Sequence, residues 1–258
     1  MKKEEMLMIK EDLKKYKVIT ENDFTKYFFN KFPKKTVSFY HYYLTDLYRN
    51  NILYRYDSDL LKPCGNRKDF IFSQNIDDNI KKILLDIDPS IDISIWQLSD
   101  LYRFMSLRSF VNIIFVETYY YAVDVVTNLL IDCGKKVVLE DDYDIYVKYN
   151  RVDELYVVRK INEDSPIAKK NEYSKSKECK KSIIVSPKIE KVLVDIIGDD
   201  IFDTILSDET FMILCELLKQ YKINMATVKR YATKKHRWAG IKFAIESTGF
   251  NIEQGEFR

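Results

Sequence analysis

Charged residues at the ends of two apolar runs are the first in this sequence whose types and spacing could do chemistry. Glu117 lies near the end of NIIFVET, and Arg159 and Lys160 follow LYVV. Metal-dependent nucleases hold a divalent ion with acids and a lysine on adjacent strands, so these three residues could form such a site. The spacing is generic, and ion pairs between strand ends account for the same residues. We expect ion pairs and keep the nuclease as an alternative.

A second group of carboxylates is the short run Glu140, Asp141 and Asp142, with Asp144 close behind. A divalent cation needs ligands that converge from separate elements, whereas the side chains of consecutive residues diverge. We therefore predict a solvated turn here and no metal site.

The sequence lacks the common signatures of hydrolases and nucleotide-binding enzymes. Its two histidines, His41 and His236, are too far apart for an HExxH zinc motif. No GxxxxGKS, GxxxxGKT or GxGxxG loop occurs, and the segment CGKK at 133–136 lacks the upstream glycine of a phosphate loop. We predict no catalytic residue, no metal and no cofactor.

The composition is that of a globular protein kept in the cytoplasm. Hydrophobic residues make up 46% of the 258 and charged residues 32%, with no apolar run long enough to span a membrane. The charged N-terminus does not resemble a signal peptide. No two of the four cysteines form a CxxC pair, so we expect reduced thiols: Cys64, Cys133, Cys179 and Cys215.

The formal charge of +2 conceals an uneven distribution along the chain. Residues 1–69 carry 15 basic and 10 acidic side chains, residues 70–164 carry 10 and 17, and residues 165–258 carry 17 and 13. Two basic ends therefore flank an acidic middle. A modest basic excess is weak support for nucleic-acid binding, because surface lysines also serve solubility.

A sharper signal lies in KKTVSFYHYYLTDLYRNN, residues 34–51. At 100° per residue, a helix here would have an apolar stripe facing the core: Val37, Tyr40, Leu44 and Leu47. A separate arc gathers side chains that can all donate a hydrogen bond: Ser38, His41, Tyr42, Thr45 and Arg49. The remaining flank could pack on a neighbouring domain: Phe39, Tyr43 and Asp46. A DNA-reading helix needs polar groups of this kind to reach base edges.

The start of the same helix suits phosphate binding. Lys34 and Lys35 precede Thr36, a strong N-cap, and the backbone amides of a first helical turn point outward. The predicted DNA contacts are Lys34, Lys35, Thr36, Ser38, His41, Tyr42, Thr45 and Arg49. An ordinary solvated helix face beside solubilising lysines would look the same, so the pattern leaves both readings open.

The elements that must position these residues form a recognisable order. We predict helices over Lys3–Lys15, from the N-cap Thr20 to the stop at Pro33, and from Thr36 to about Arg49. A hairpin follows, with strands 52–56 and 60–62 around the turn Asp57-Ser58-Asp59. Three helices and a hairpin are typical of a winged helix-turn-helix, whose third helix enters the major groove of DNA.

Further along, residues 70–168 alternate between helical and strand patterns, which predicts a small-sheet α/β domain. The predicted strands are 93–96, 112–118, 136–140 and 155–161, with helical segments at 75–85, 99–104 and 119–132. The fold class is therefore α+β: an N-terminal winged helix-turn-helix, the α/β domain and a helical C-terminal part.

Residues 169–258 begin with a polar connection, part of the stretch IAKKNEYSKSKECKKS, which we read as exposed or mobile. The helices predicted after it are 187–197, 201–206, 208–221 and 225–248. The last would carry a basic face, a second candidate contact surface: Lys229, Arg230, Lys234 and Arg237. We expect this part to pack with 70–168 as one domain beside the DNA-binding domain 1–69.

The segment from Ile19 to Pro63, above all TVSFYHYYLTDLYRNNILYR, resembles the N-terminal winged helix of AbiEi-type antitoxins. ISIWQLSDLYRFM, NIIFVET and LYVVRKI are similar to the middle of that family's second domain. SPKIEKVLVDII and INMATVKRYATKKHR are similar to its helical C-terminal part. The sequence departs from the family at Asn51, where glycine is common, and at Asp57 and Asp59, which replace a basic wing tip and would be repelled by phosphates.

The resemblance implies an antitoxin of a type IV toxin-antitoxin system, which serves in abortive infection against phage. Such a protein represses its own operon, so double-stranded DNA of its own promoter is the expected partner. The other partner is a nucleotidyltransferase-like toxin that it neutralises, with or without direct contact. A homodimer on DNA is the usual arrangement for paired half-sites. The resemblance implies no enzymatic activity and no membrane association.

A third function stays open beside the antitoxin and the nuclease. The helix-turn-helix could be degenerate and bind a protein that covers Phe39 and Tyr43. Binding to DNA, or its absence together with a co-purifying partner, distinguishes this function from the first.

Overall fold

The computed structural model describes residues 3–65, 67–72, 78–85, 91–106, 111–150, 152–162, 164–167, 184–206 and 209–257. The α-helices are α1 (Lys3–Leu13), α2 (Glu21–Lys31), α3 (Val37–Arg49), α4 (Asp78–Leu85), α5 (Val123–Asp132), α6 (Tyr143–Tyr149), α7 (Ile189–Gly198), α8 (Asp200–Leu206), α9 (Glu209–Gln220), α10 (Met225–Lys234) and α11 (Trp238–Ser247). The strands are β1 (Ile19–Thr20), β2 (Leu53–Arg55), β3 (Leu60–Pro63), β4 (Ile93–Gln97), β5 (Asn112–Tyr119), β6 (Val137–Leu139), β7 (Glu154–Ile161), β8 (Ile184–Val185), β9 (Phe250–Asn251) and β10 (Glu256–Phe257).

The chain divides into two compact units. One, the discontinuous unit, combines Met1–Phe70 with Leu214–Arg258, and the other, the central unit, is Ile71–Ile213. This division differs from the predicted domains, which grouped all of 169–258 with 70–168. Helices α7 and α8 do belong to the central unit, but α10, α11 and the hairpin β9–β10 belong with the N-terminal helices.

Specific hydrogen bonds within the discontinuous unit explain that grouping. The Tyr56 hydroxyl donates to the carbonyl of Ile252 at 2.6 Å, and the Met225 amide donates to the carbonyl of Tyr56 at 2.6 Å. The Lys68 amide donates to the carbonyl of Gln220 at 3.0 Å. These contacts join residues more than 150 positions apart, so no local sequence pattern could have indicated them.

The N-terminal part of the discontinuous unit is a winged helix-turn-helix. Its elements follow the order α1, β1, α2, α3, β2, β3, and the three strands form an antiparallel sheet in the order β1-β3-β2. The Thr20 side chain accepts a hydrogen bond from the Asp23 amide and caps α2, as predicted. Asn51 ends α3 with φ of 54°, and the Asn51 and Ile52 amides donate to the carbonyls of Tyr48 and Leu47 in a Schellman motif.

The core of this part is unusually aromatic. Phe28 is fully buried and its ring meets those of Tyr40 and Tyr43 edge to face, at centroid distances of 5.4 and 5.3 Å. Leu47 and Phe24 are fully buried in the same cluster. The aromatic residues of α3 that point inward therefore fix this helix against α2.

The central unit contains a five-stranded sheet in the order β6-β7-β5-β4-β8. Strands β5, β6 and β7 run parallel, with α5 and α6 as their connections, and β4 runs antiparallel to β5. Strands β5 and β7 are buried on both faces, as their long apolar runs require. The four predicted strands of this region are confirmed, within one or two residues at their ends.

Other helices differ from the predictions. The predicted helix 225–248 is two helices, because His236 adopts φ of 56° after α10. The amides of His236 and Arg237 donate to the carbonyls of Thr233 and Ala232, so this is a second Schellman motif. The segment 99–104 forms two short 3-10 turns, and α6 was not predicted.

Most of the polar stretch 167–182 lies outside the described residues, as does Cys179. Cys64, Cys133 and Cys215 are free thiols, as expected. In the described part of the chain, no helix has both the length and the apolar character needed to cross a bilayer.

Candidate nucleic-acid interface

Helix α3 separates its residues into a buried face and an exposed face. Tyr40, Tyr43, Leu44 and Leu47 are buried, whereas the hydrogen-bonding arc is exposed along the whole helix: Ser38, His41, Tyr42, Thr45 and Arg49. Tyr42 remains 53% exposed although it is an aromatic residue in an aromatic-rich helix. The structure therefore brings the five predicted readout residues together on one solvent-facing surface.

Two side-chain hydrogen bonds hold α3 in place from its buried face. The Tyr43 hydroxyl donates to Glu5 of α1 at 2.7 Å, and the Thr25 hydroxyl of α2 donates to the Tyr40 hydroxyl at 3.0 Å. Burial, assisted by the bond to Glu5, raises the pKa of Tyr43 to about 12. The Tyr43 hydroxyl is thus protonated at neutral pH. Its bond to Glu5 and the bond between Thr25 and Tyr40 anchor the helix.

Two residues of α3 lie elsewhere than the angular pattern predicted. Val37, assigned to the core stripe, is 62% exposed, because it stands in the first turn, ahead of the surface that α2 covers. Tyr43, assigned to the flank, is buried against Phe28 and Phe32. Phe39 does lie on an open flank, with 49% of its surface exposed.

The start of α3 carries the predicted phosphate-binding residues. Thr36 is the N-cap residue with extended backbone angles, and its side chain makes no capping hydrogen bond, so the hydroxyl is not used within the helix. Lys34 is exposed, and the Lys35 ammonium lies 5.0 Å from the centre of the Phe39 ring. The first-turn amides of α3 have no partner in the helix itself. Positive charge and amide donors therefore meet at this end.

The residues of the exposed arc differ in how free their side chains are to hydrogen-bond a ligand. The Thr45 hydroxyl donates to the carbonyl of His41 at 2.9 Å, which leaves only its acceptor capacity for a ligand. Ser38, His41 and Tyr42 make no such bond with the residues that the structure describes, and they lie in the N-terminal half of the helix, where a recognition helix contacts base edges.

The wing has an acidic tip and a cation committed to internal contacts. Asp57 and Asp59 stand between β2 and β3, as expected from the sequence. Arg55, the cation of β2, donates to the carbonyl of Ser58 and forms a 2.8 Å ion pair with Glu21. Phosphate contact by this wing would have to overcome the repulsion of the two aspartates.

The second predicted basic surface is also exposed. Lys229, Arg230 and Lys234 lie on the outer face of α10, and Arg237 lies in the turn before α11. This surface and α3 belong to the same unit, so both could contribute to one interface.

The residues of the nuclease alternative do not come together as that site requires. In the β5–β7 ladder Glu117 is opposite Arg159, whereas Lys160 is opposite Thr118 on the other face of the sheet. Lys160 is 64% exposed and lies 3.7 Å from Asp141. Glu117 is fully buried, and its carboxylate contacts the Lys191 ammonium at 2.6 Å.

Glu117 is instead part of a buried group of charges, which we call the Arg159 cluster: Glu117, Glu140, Arg159, Lys191, Asp195 and Asp199. The Arg159 guanidinium contacts Asp199 at 2.6 Å and Glu140 at 2.8 Å. It also lies 3.4 Å from Glu117, and Lys191 bridges Glu117 and Asp195 at 2.6 Å each. The cluster joins β5 and β7 to α7 and to the 3-10 turn at Glu140–Asp142.

The carboxylates of the cluster keep the Arg159 guanidinium protonated. Burial alone would lower the pKa of Arg159, but Asp195, Glu140, Glu117 and Asp199 raise it above its usual value. The oxygens of Glu117 accept from Ser94 and from the Trp96 indole as well as from the two cations. No group of three metal-binding side chains that could hold an ion is found in the described residues. The arrangement is thus that of a structural clamp.

The predicted ion pairs at the strand ends included Glu117 and Arg159 but not Lys191 and Asp195. These two stand four residues apart in α7, whose only other charged residue is Glu190, and opposite charges at that spacing in a largely apolar helix are a usable signal of a buried pair. The expected solvated turn at 140–142 is correct for Asp141, which is exposed, whereas Glu140 contacts Arg159.

A protein-family model described as a family of unknown function, DUF6577, matches residues 39–250. The chain belongs to this family. The DUF6577 match begins inside α3 and extends through the central unit into the hairpin β9–β10, so it includes parts of both units. The comparison with curated proteins found no match.

Proposed function

We propose that this DUF6577 protein is a DNA-binding autorepressor and the antitoxin of a type IV toxin-antitoxin system. It acts in the cytoplasm, has no enzymatic activity and counteracts a nucleotidyltransferase-like toxin. The main support for DNA binding is that α3 exposes Ser38, His41 and Tyr42 while the opposite face of the helix is fixed in an aromatic core. The antitoxin role rests on the resemblance of Ile19–Pro63 and later segments to AbiEi-type antitoxins.

The interface works in two steps. Lys34, Lys35 and the first-turn amides of α3 hold the phosphate backbone, and Arg49 at the other end of the helix adds a second backbone contact. Ser38, His41 and Tyr42 then reach base edges in the major groove. Two protomers on paired half-sites would place two α3 helices one helical turn of DNA apart.

Replacing Ser38, His41 and Tyr42 together with alanine is expected to weaken binding to the protein's own upstream region about 100-fold or more, because base contacts are worth about 1–3 kcal/mol each. Gel shifts with that region and with a scrambled duplex measure the change. The weaker, salt-sensitive binding to scrambled DNA should persist, because the three substitutions leave Lys34, Lys35 and Arg49 in place.

The matched control is a triple alanine variant of exposed residues in the central unit, Asp124, Asn128 and Tyr149. It also removes three polar side chains, one of them aromatic, and should bind like wild type. Equal operator affinity of wild type and the α3 variant would refute the readout face.

The antitoxin role needs a separate experiment. Cells that express the neighbouring nucleotidyltransferase-like toxin should stop growing, and co-expression of this protein from an unrelated promoter should restore growth. The unrelated promoter removes repression from the outcome, so growth arrest despite normal protein levels would disprove neutralisation while leaving DNA binding intact.

A protein-binding module is the second candidate. The observation that favours it is the exposed apolar surface at the start of α3, formed by Val37 and Phe39. It would be preferred if no duplex bound at low salt and if a partner co-purified with wild type but not with a Phe39→Ser variant.

A further inference from the structure

The discontinuous unit contains a cavity of about 460 Å³ whose wall is rich in cations. Its lining comes from α1, from the residues after α3, from β3 and the turn that follows, and from β10. Five of the lining side chains are basic and one is acidic: Lys10, Lys14, Lys17, Lys62, Arg67 and Glu256. A concave surface with this excess of one charge concentrates ions of the opposite sign.

Lys62 is the central feature of the cavity. It is only 5% exposed, its ammonium donates to the carbonyl of Gly255, and it lies 5.3 Å from the centre of the Tyr56 ring. Lysine is rarely buried to this degree without a carboxylate partner. In the described part of the chain no acid forms an ion pair with Lys62, so its nearest partners are a carbonyl dipole and an aromatic face.

The other cations are only partly neutralised. Lys14 pairs with Glu11 at 2.7 Å, and Lys17 pairs with Glu256 at 2.7 Å. Lys10 and Arg67, like Lys62, have no carboxylate within ion-pair distance among the described residues. Three unneutralised cations thus face one cavity, and their mutual repulsion decreases when an anion enters.

Apart from Asn51 and Gly65, the rest of the wall is apolar or aromatic. Leu13, Tyr16, Ile52 and Pro63 line the same cavity. A volume of a few hundred cubic ångströms with an apolar wall and a few convergent polar groups is typical of small-molecule sites. A free inorganic ion would use the cations but leave the apolar wall uncovered.

We propose that this cavity binds a small phosphorylated molecule of nucleotide size, with its phosphate at Lys62, Arg67 and Lys10 and its planar part against Tyr16 and Pro63. A backbone phosphate of a DNA duplex fits this cavity less well than the phosphate of a small molecule does. Lys62 lies inside the cavity, and a duplex roughly 20 Å wide cannot follow its phosphate into a space of this size.

Isothermal titration of the full-length protein with adenosine monophosphate and with inorganic pyrophosphate, in the absence of DNA, tests the site. We expect saturable binding of both and a higher melting temperature with either. Lys10→Gln with Arg67→Gln should weaken both about 10-fold or more, because charge-assisted hydrogen bonds to phosphate are lost. Neither of these two side chains is in the core, so this double variant should fold even if Lys62→Met does not.

The control is Lys26→Gln with Lys148→Gln, which removes the same charge from exposed positions that do not line the cavity. Equal weakening in the control, or no saturable binding of either probe, would overturn the proposal. Displacement of adenosine monophosphate by random duplex DNA would assign the site to DNA instead. Binding of pyrophosphate alone would contradict the role of the apolar wall.

The pH dependence gives an independent readout. Burial, and then repulsion by Arg67, lowers the pKa of Lys62 to about 8, while Glu256 opposes the change. The other titratable groups around it are Tyr56, Tyr16, Lys10 of α1, and Lys14 and Lys17 after α1. Sulfate keeps a constant charge in this range, so its affinity should fall between pH 7 and 9 as the amine loses its proton. A profile as flat in wild type as in Lys62→Met would contradict the position of the anion.

The titrations with adenosine monophosphate, pyrophosphate and sulfate contain no DNA, so their failure would leave the operator-binding proposal unaffected. The site is a property of the discontinuous unit that the proposed repressor activity does not require.

Discussion

Arg159→Met is expected to lower the free energy of unfolding of the central unit by about 3–5 kcal/mol, because it leaves Glu117, Glu140, Asp195 and Asp199 buried or partly buried with only Lys191 to compensate them. Trp96 lies beside the cluster and donates to Glu117, so its fluorescence reports unfolding there. A Trp238→Phe background removes the other tryptophan.

The control for this prediction is the adjacent residue. Lys160→Met removes a cation from the next position of β7, but the Lys160 side chain is exposed near the end of the strand, and its pair with Asp141 should contribute well under about 1 kcal/mol. Similar destabilisation by the two substitutions would show that the Arg159 cluster does not act as a clamp.

Unfolding at acidic pH shows whether the stability deficit of Arg159→Met comes from lost charge pairing or from lost packing. An uncompensated negative charge in the cluster is removed when a proton binds, so a deficit that is caused by lost charge pairing should shrink relative to wild type as pH falls. Arg159 also lies over the rings of Phe115 and Phe202. A deficit that stays constant with pH would mean that these packing contacts are what the variant loses.

The second large effect is expected for Phe28→Ala in the discontinuous unit, at about 3–5 kcal/mol. Phe28 is fully buried and contacts the two tyrosines that hold α3. Hydrogen exchange of the α2 and α3 amides measures the loss. Operator binding should fall with it, although Phe28 has no exposed surface, because α3 is no longer fixed.

Phe39→Ala is the control for this substitution. It also removes a phenylalanine ring from the discontinuous unit, but Phe39 is half exposed, so its loss should lower the free energy of unfolding by about 0.5 kcal/mol or less. The triple variant of Ser38, His41 and Tyr42 provides the opposite case, with weakened binding and unchanged hydrogen exchange. If Phe28→Ala left exchange in α3 unchanged, the aromatic core would not be what positions the helix.

The parts of the fold that were predictable are those with local signals. Thr20 caps α2, Pro33 follows its end, and Asn51 adopts the left-handed conformation that ends α3. The apolar runs of β5 and β7 are long enough to identify buried strands. The exposed arc of α3 followed from helical periodicity alone.

The parts that were missed depend on contacts between distant residues. Histidine is not a usual helix terminator, so the break at His236 could not be foreseen from its type. Periodicity gives the angles of Val37 and Tyr43 but not where α2 covers the helix. Lys191 and Asp195 have partners more than 30 residues away in sequence, at Arg159 and Glu117. For the candidate site, periodicity therefore predicted which residues share a face of α3, and the neighbouring elements determine how far each of them is exposed.

The long-range hydrogen bonds of the discontinuous unit can form only late in its synthesis, after both partners have been produced. Tyr56 and its acceptor Ile252 are 196 residues apart, so at about 5–20 residues per second the ribosome produces the acceptor roughly 10 to 40 s after the donor. During that interval the winged helix lacks α10, α11 and the last hairpin, and Lys62 has no Gly255 carbonyl to bind. A chain that ends anywhere in the central unit therefore lacks the partners of Tyr56 and Lys68, and these bonds of the discontinuous unit form only after its C-terminal part has been synthesised.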